Sequence, residues 1–114
     1  MAFTYSDQAV SFLAGDDIPA GTAVKFHNDG VIPCSVAGEH SVGVCRGGLS
    51  GQPVAVVIGG ITKARFAAAL TTGTMVTTDN KGNIVAANSS DSVIGEVAYA
   101  AGANEIGSIL VDKL

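Results

Sequence analysis

The chain has 114 residues, 47% of them hydrophobic and only 14% charged, with a net charge of −4 at neutral pH. An acidic chain whose six basic residues are scattered, at Lys25, Arg46, Lys63, Arg65, Lys81 and Lys113, excludes nucleic acid as a partner, because phosphate contacts need clustered Lys and Arg. No apolar run approaches the ~18 residues that span a bilayer, and no basic segment precedes an apolar stretch at the N-terminus, so a soluble protein made in a cytosol, with no membrane partner, is expected.

A chain of this size is read as one domain with a small core. A surface poor in charge and rich in Ala, Gly, Ser and Thr suits a protein partly covered by other subunits.

Residues 1–17 stand apart, holding Phe3, Tyr5 and Phe12, three acids and no basic residue. Phe3 and Tyr5 alternate with Thr4 and Ser6, which suits an extended strand, and the segment is read as an N-terminal arm. Ile18-Pro19-Ala20-Gly21 is a turn signal that leads into a strand over 22–26. Asn28-Asp29-Gly30 supplies residues that tolerate positive φ, as a tight hairpin requires, and a return strand is expected over 31–36. Residues 41–45 read as a further strand. The stretch 52–58, with three valines and an isoleucine, is the strongest strand signal, and Gly59-Gly60 follows it at once. From Gly59 to Leu70 a strand followed by one helical turn is expected, since Ala67-Ala68-Ala69 favours helix. Strands are then expected over 73–78, 84–87, 93–99 and 105–111, separated by Asn80-Lys81-Gly82, Asn88-Ser89-Ser90-Asp91 and a turn around Gly102.

These elements come twice. Gly21-Thr22-Ala23-Val24 matches Gly73-Thr74-Met75-Val76 at a spacing of 52 residues, and Asn28, Gly30, Ile32 and Val42-Gly43 match Asn80, Gly82, Ile84 and Ile94-Gly95 at the same spacing. A duplicated unit of short strands and glycine turns predicts an all-β fold, a small β-sandwich or barrel, made of a repeat over 18–61 and a second over 70–114 within one domain of residues 18–114. It points to shape and adhesion rather than to an enzyme.

Candidate chemistry is sparse. His27, Cys34, His40 and Cys45 lack the close ligand pairs of a zinc site. A Cys-His nucleophile needs a base in reach and an oxyanion hole, yet the second repeat has Ala86 and Val97 where the first has Cys34 and Cys45, so the thiols are read as small, reduced, buried residues. Gly47-Gly48 and Gly59-Gly60 do not end in the Gly-Lys-Ser/Thr of a phosphate loop. Asp16-Asp17 lacks the flanking ligands of a calcium site. No cofactor, metal or catalytic residue is expected.

Ala20-Gly21-Thr22-Ala23-Val24, Asn28-Asp29-Gly30, Val42-Gly43-Val44 and Gly51-Gln52-Pro53-Val54-Ala55-Val56, partly returning as Gly73-Thr74-Met75-Val76, Asn80-Lys81-Gly82 and Ile94-Gly95-Glu96-Val97, resemble the small capsid decoration, or cement, proteins of tailed bacteriophages. The resemblance covers about residues 14–111. It implies a compact, usually trimeric β fold on the outer face of an icosahedral shell, clamping the major capsid protein, with an N-terminal arm that often takes part. The expectation is therefore a virion protein, a homotrimer, whose capsid contacts include Phe3, Tyr5 and Phe12. The alternative is a small-molecule or carbohydrate-binding β module of a larger assembly. Such a module would show aromatic platforms, whereas the chain has no Trp and only Phe26, Phe66 and Tyr99 beyond the arm.

Overall fold

The computed structural model describes residues 8–113. Nine strands follow one another, with no helix among these residues: β1 (Gln8–Ala14), β2 (Thr22–His27), β3 (Gly30–Pro33), β4 (Gly43–Cys45), β5 (Pro53–Arg65), β6 (Met75–Thr78), β7 (Ile84–Ala86), β8 (Gly95–Tyr99) and β9 (Ile106–Asp112). The fold is all-β, as the short strands and frequent turns predict.

The strands are hydrogen-bonded in the order β1-β3-β2-β4-β5-β9-β8-β6-β7, with an additional pairing of β1 to β5. That pairing closes β1, β3, β2, β4 and the front of β5 into a ring. The rear of β5 then pairs with β9, and a parallel bridge from Phe66 to Ile84 closes β5, β9, β8, β6 and β7 into a second ring. One strand thus serves both rings: the segment from Pro53 to Gly59 pairs with β1, and the segment from Gly59 to Arg65 pairs with β9.

Two sequence expectations fail here for physical reasons. Gly59-Gly60 does not end the strand, because β5 changes partner at this point and the bend is absorbed by Gly60 at φ 95°. The helical turn expected after it is absent. Ala67 N–H donates to the Ile84 carbonyl at 3.0 Å and Leu70 N–H to the Ala101 carbonyl at 3.2 Å, so the donors a helix would use are committed to carbonyls distant in the sequence. A third difference concerns the arm. Part of residues 1–17 is β1, a strand bonded on both sides, antiparallel to β5 and parallel to β3; residues 1–7, with Phe3 and Tyr5, lie outside the described residues.

Backbone pairings recur between the two rings. Gly21 N–H donates to Cys45 C=O and Gly73 N–H to Val97 C=O, both at 2.8 Å; Val42 to Val24 and Ile94 to Val76, both at 2.8 Å. Ala14 to Gln52 answers Phe66 to Glu105, each at 2.9 Å, and Gly51 to Ala14 answers Asn104 to Phe66, each at 2.8 Å. These partners stand 52 or 53 residues apart. The extra residue of the last two pairs enters between Val97 and Asn104, where β8 shifts register against β9 at Val97/Tyr99. Separately, the two-residue loop Asn28-Asp29 is answered by the longer loop from Asp79 to Asn83, whose Asp79 carboxylate accepts from Lys81 N–H at 2.8 Å and Asn83 N–H at 2.9 Å.

Strand alternation sorts the apolar side chains into two clusters. Val24, Val31, Cys45, Val54 and Val56 fill the first ring with Ala14, Ile18 and Val42. The second cluster holds Phe66, Leu70, Val76, Ile84, Ile94, Val97 and Ile109 from the second ring, and also Ala23, Cys34, Val44 and Val57 from the outside of the first. The outer face of the first ring is therefore buried against the second. Each fully buried Val or Phe in such a cluster contributes roughly 1.5–3 kcal/mol.

Candidate functional site

The joint between the rings is made by identifiable atoms. Ala23 and Val44 are cross-strand neighbours, as are Val44 and Val57, so Ala23-Val44-Val57 forms one row across β2, β4 and β5, all three residues fully buried. Around this row, Ala23 N–H donates to Gly82 C=O at 2.8 Å, Arg65 N–H to Gly21 C=O at 3.0 Å, and Gly38 N–H to Thr78 C=O at 2.9 Å. The receiving side of the second ring is lined by Ala64, Thr78 and Gly82, small residues that let the two backbones approach.

The same two faces occur once more, uncovered among the described residues. On the second ring the row corresponding to Ala23-Val44-Val57 is Met75-Glu96-Leu110, paired in the same way across β6, β8 and β9. Met75 is 50% exposed and Leu110 38%, and Tyr99 and Ile106 lie further along β8 and β9, 66% and 52% exposed. On the first ring the positions answering Ala64, Arg65 and Thr78 are Phe12, Leu13 and Phe26. Phe12 is half-buried and meets Phe26 edge to face at 5.3 Å between ring centroids. Phe26 is 61% exposed, Leu13 50% and Val10 40%. Leu13 also borders a shallow cleft beside His27, Asn28, Asp29 and Gly30.

Of the three residues expected to meet a capsid, the structure describes Phe12 alone and packs it into β1 against the first cluster. Phe26, Leu13, Met75 and Leu110 escaped the sequence reading. The repeat, read at its spacing of 52, sets Met75 against Ala23 but does not set Leu110 against Val57, which stand 53 apart.

The candidate chemical groups stay apart. Cys34 and Cys45 are free and buried, Cys34 in the second cluster and Cys45 in the first. Burial, with Glu39 nearby, pushes the Cys34 thiol up to about 11, and burial also raises Cys45, which makes both poor nucleophiles at neutral pH. His27 and His40 are exposed. Among the described residues, no group of three or more His, Cys, Asp or Glu side chains is placed to hold a metal ion. A groove of about 400 Å³ lies beside the joint, lined by Ala20, Gly21, Arg46, Ile61, Thr62, Lys63 and Ser108. It offers no aromatic platform to a sugar or flat ligand.

The turns are fastened by carboxylates. Glu39 accepts from Ser35 N–H at 2.7 Å and Val36 N–H at 2.8 Å, and pairs with Lys25 at 3.3 Å. Partial burial works against its charge, but these donors together hold its carboxyl below the usual range. Asp91 caps the corresponding turn of the second ring through Asn88 N–H at 2.8 Å.

No protein-family model and no curated protein sequence matches the chain. Its fold is similar to that in the crystal structure of the head fiber gp8.5 N base in bacteriophage phi29, with a TM-score of 0.69 at 14% identity over 96% of this chain and 98% of that one. At this identity the likeness is one of fold.

Proposed function

We propose that this chain is a structural, non-catalytic protein of a bacteriophage head, which binds the outer surface of the major capsid protein lattice and stabilises the mature head. The observation that carries the reading is the fold match to a head fiber base, which runs nearly end to end in both chains. It agrees with the decoration-protein pattern of the glycine turns, with thiols buried out of reach, and with exposed apolar side chains such as Phe26, Met75 and Tyr99.

In this reading the protein works as a homotrimer on the virion, and Phe3 and Tyr5 are its aromatic capsid anchors, the residue type most often central to interfaces. Phe12 anchors their segment to the β body. Binding several capsid subunits at once stabilises the assembled lattice by mass action, because each copy favours the state that presents all its contacts together.

The test is to mix the purified protein with undecorated heads and measure co-sedimentation and the temperature at which the heads release their contents. Saturable binding with a raised release temperature is the expected result, weakened by about tenfold or more in Phe3→Ala or Tyr5→Ala. Heads that neither bind the protein nor gain heat resistance would rule the proposal out.

A further inference from the structure

The joint between the rings is heterologous: the outer row of one ring sits on a different face of the other. A contact of that type, used once inside a chain, leaves one copy of each of its two faces unused, at opposite ends. The unused row is Met75-Glu96-Leu110, with Tyr99 and Ile106 beside it. The unused receiving face is Phe12, Leu13 and Phe26, with Val10. In repeat proteins the terminal units that face water carry polar outer surfaces. Here both ends are apolar, and seven of the ten exposed large hydrophobic residues lie on them.

We propose that these two faces bind each other between copies of this chain, head to tail, with the Met75-Leu110 row of one copy seated on the Phe26-Leu13 face of the next. A second copy is the occupant because the chain already contains this joint once, in the same strand registers, and because each unused face is present where its partner's counterpart is missing. The fit between copies differs in size. Met75 and Leu110 replace Ala23 and Val57, and the rings of Phe12 and Phe26 replace the Ala64 and Thr78 side chains, so the contact is made by side chains more than by backbone. Such a contact forms a closed ring if its rotation closes and a filament if it does not; closure after three copies gives the homotrimer proposed above. Head binding and this self-contact are separable, since the second is measured without heads.

Sedimentation equilibrium of the free protein up to about millimolar concentration should show self-association. Met75→Glu on one face, and Leu13→Glu or Phe26→Glu on the other, should each weaken it about 30-fold or more, the loss expected of a hot spot. Leu13→Glu keeps the Phe12–Phe26 ring contact, so far-ultraviolet dichroism matching the parent separates a lost contact from a lost fold. The native thiols are buried, so single variants Met75→Cys and Phe26→Cys, mixed and oxidised, should give a disulfide-linked dimer between position 75 of one chain and position 26 of the other, in excess over dimers of either variant with itself. A protein that stays monomeric, associates unchanged in the charged variants, or cross-links like with like would overturn the proposal, and capture of the apolar faces by capsid protein alone would do the same.

Discussion

The two rings solve one packing problem with opposite arrangements of large and small side chains. In the second ring Phe66 is 1% exposed, and it sits over Ala64 and Gly107, where a side chain on Gly107 would run into the Phe66 ring. In the first ring the corresponding positions are Ala14, Phe12 and Val54, so the aromatic ring has moved two residues along the strand and out toward the end of the barrel. The backbone hydrogen bonds recur between the rings at spacings of 52 or 53 residues. What differs is where the volume lies: the second ring presents a receiving face that the first ring covers, and the first presents an aromatic face that no other described residue covers.

The largest expected effect comes from breaking the first ring without touching the second. Deleting residues 1–13 removes β1, which links β3 to β5, so the truncated chain should lose cooperative unfolding or at least about 4 kcal/mol of stability, measured by urea denaturation. Deleting residues 1–7 stops short of β1 and should shift the midpoint little while weakening head binding. Equal losses in the two truncations would remove the distinction between anchor and strand.

Copying the first ring's volumes onto the second sharpens the comparison further. Phe66→Ala should cost about 3–5 kcal/mol and Gly107→Val about 1–3 kcal/mol by overpacking. Together they should cost less than the sum by about 1 kcal/mol or more, because each relieves the other's misfit. Strict additivity would mean that the two positions do not share one space.

The cysteines give a smaller contrast. Cys34→Ala and Cys45→Val install residue types that the second repeat uses at matching positions, and each should cost about 1 kcal/mol or less. In the parent both thiols should react slowly with a disulfide reagent at pH 8, with Cys34 held as thiol by its pKa of about 11. Rapid modification of the native protein would place a thiol at the surface.

The smallest effect is on pH. Glu39 has its carboxyl lowered in the folded chain, so its contribution is fully present above the ordinary carboxylate range and fades as pH falls through the folded value. The pair with Lys25 is partly exposed, with side chains 26% and 20% accessible, so solvent screening keeps the contribution to about 0.5 kcal/mol or less. Glu39→Gln should flatten the acid limb of the stability profile slightly and leave neutral stability within that margin. A variant with an unchanged acid limb would show that the turn does not report on Glu39.

Glycine turns and β-branched runs made β2 to β9 legible from sequence, since φ tolerance and pleat packing are local properties. β1 was not. Gln8-Ala9-Val10-Ser11-Phe12-Leu13-Ala14 has little intrinsic strand character, and its conformation comes from β3 and β5. The same stretch hides its kinship to residues 60–66 because Phe12 and Phe66 occupy different pleats, so identity vanishes while the hydrogen bonds recur. The exposed face was illegible for a related reason: hydrophobicity alone cannot tell Met75, which faces outward, from Val76, which is buried. Only the pairing of Met75 with Glu96, and of Glu96 with Leu110, places these side chains in one row.

The central claim is that this β body belongs on the outside of a phage head, and imaging decorated heads by electron cryomicroscopy tests it most directly. Heads saturated with the protein should carry additional density of this fold on the outer lattice, with residues 1–7 against the major capsid protein. Saturated heads whose reconstruction is indistinguishable from undecorated ones would contradict the claim.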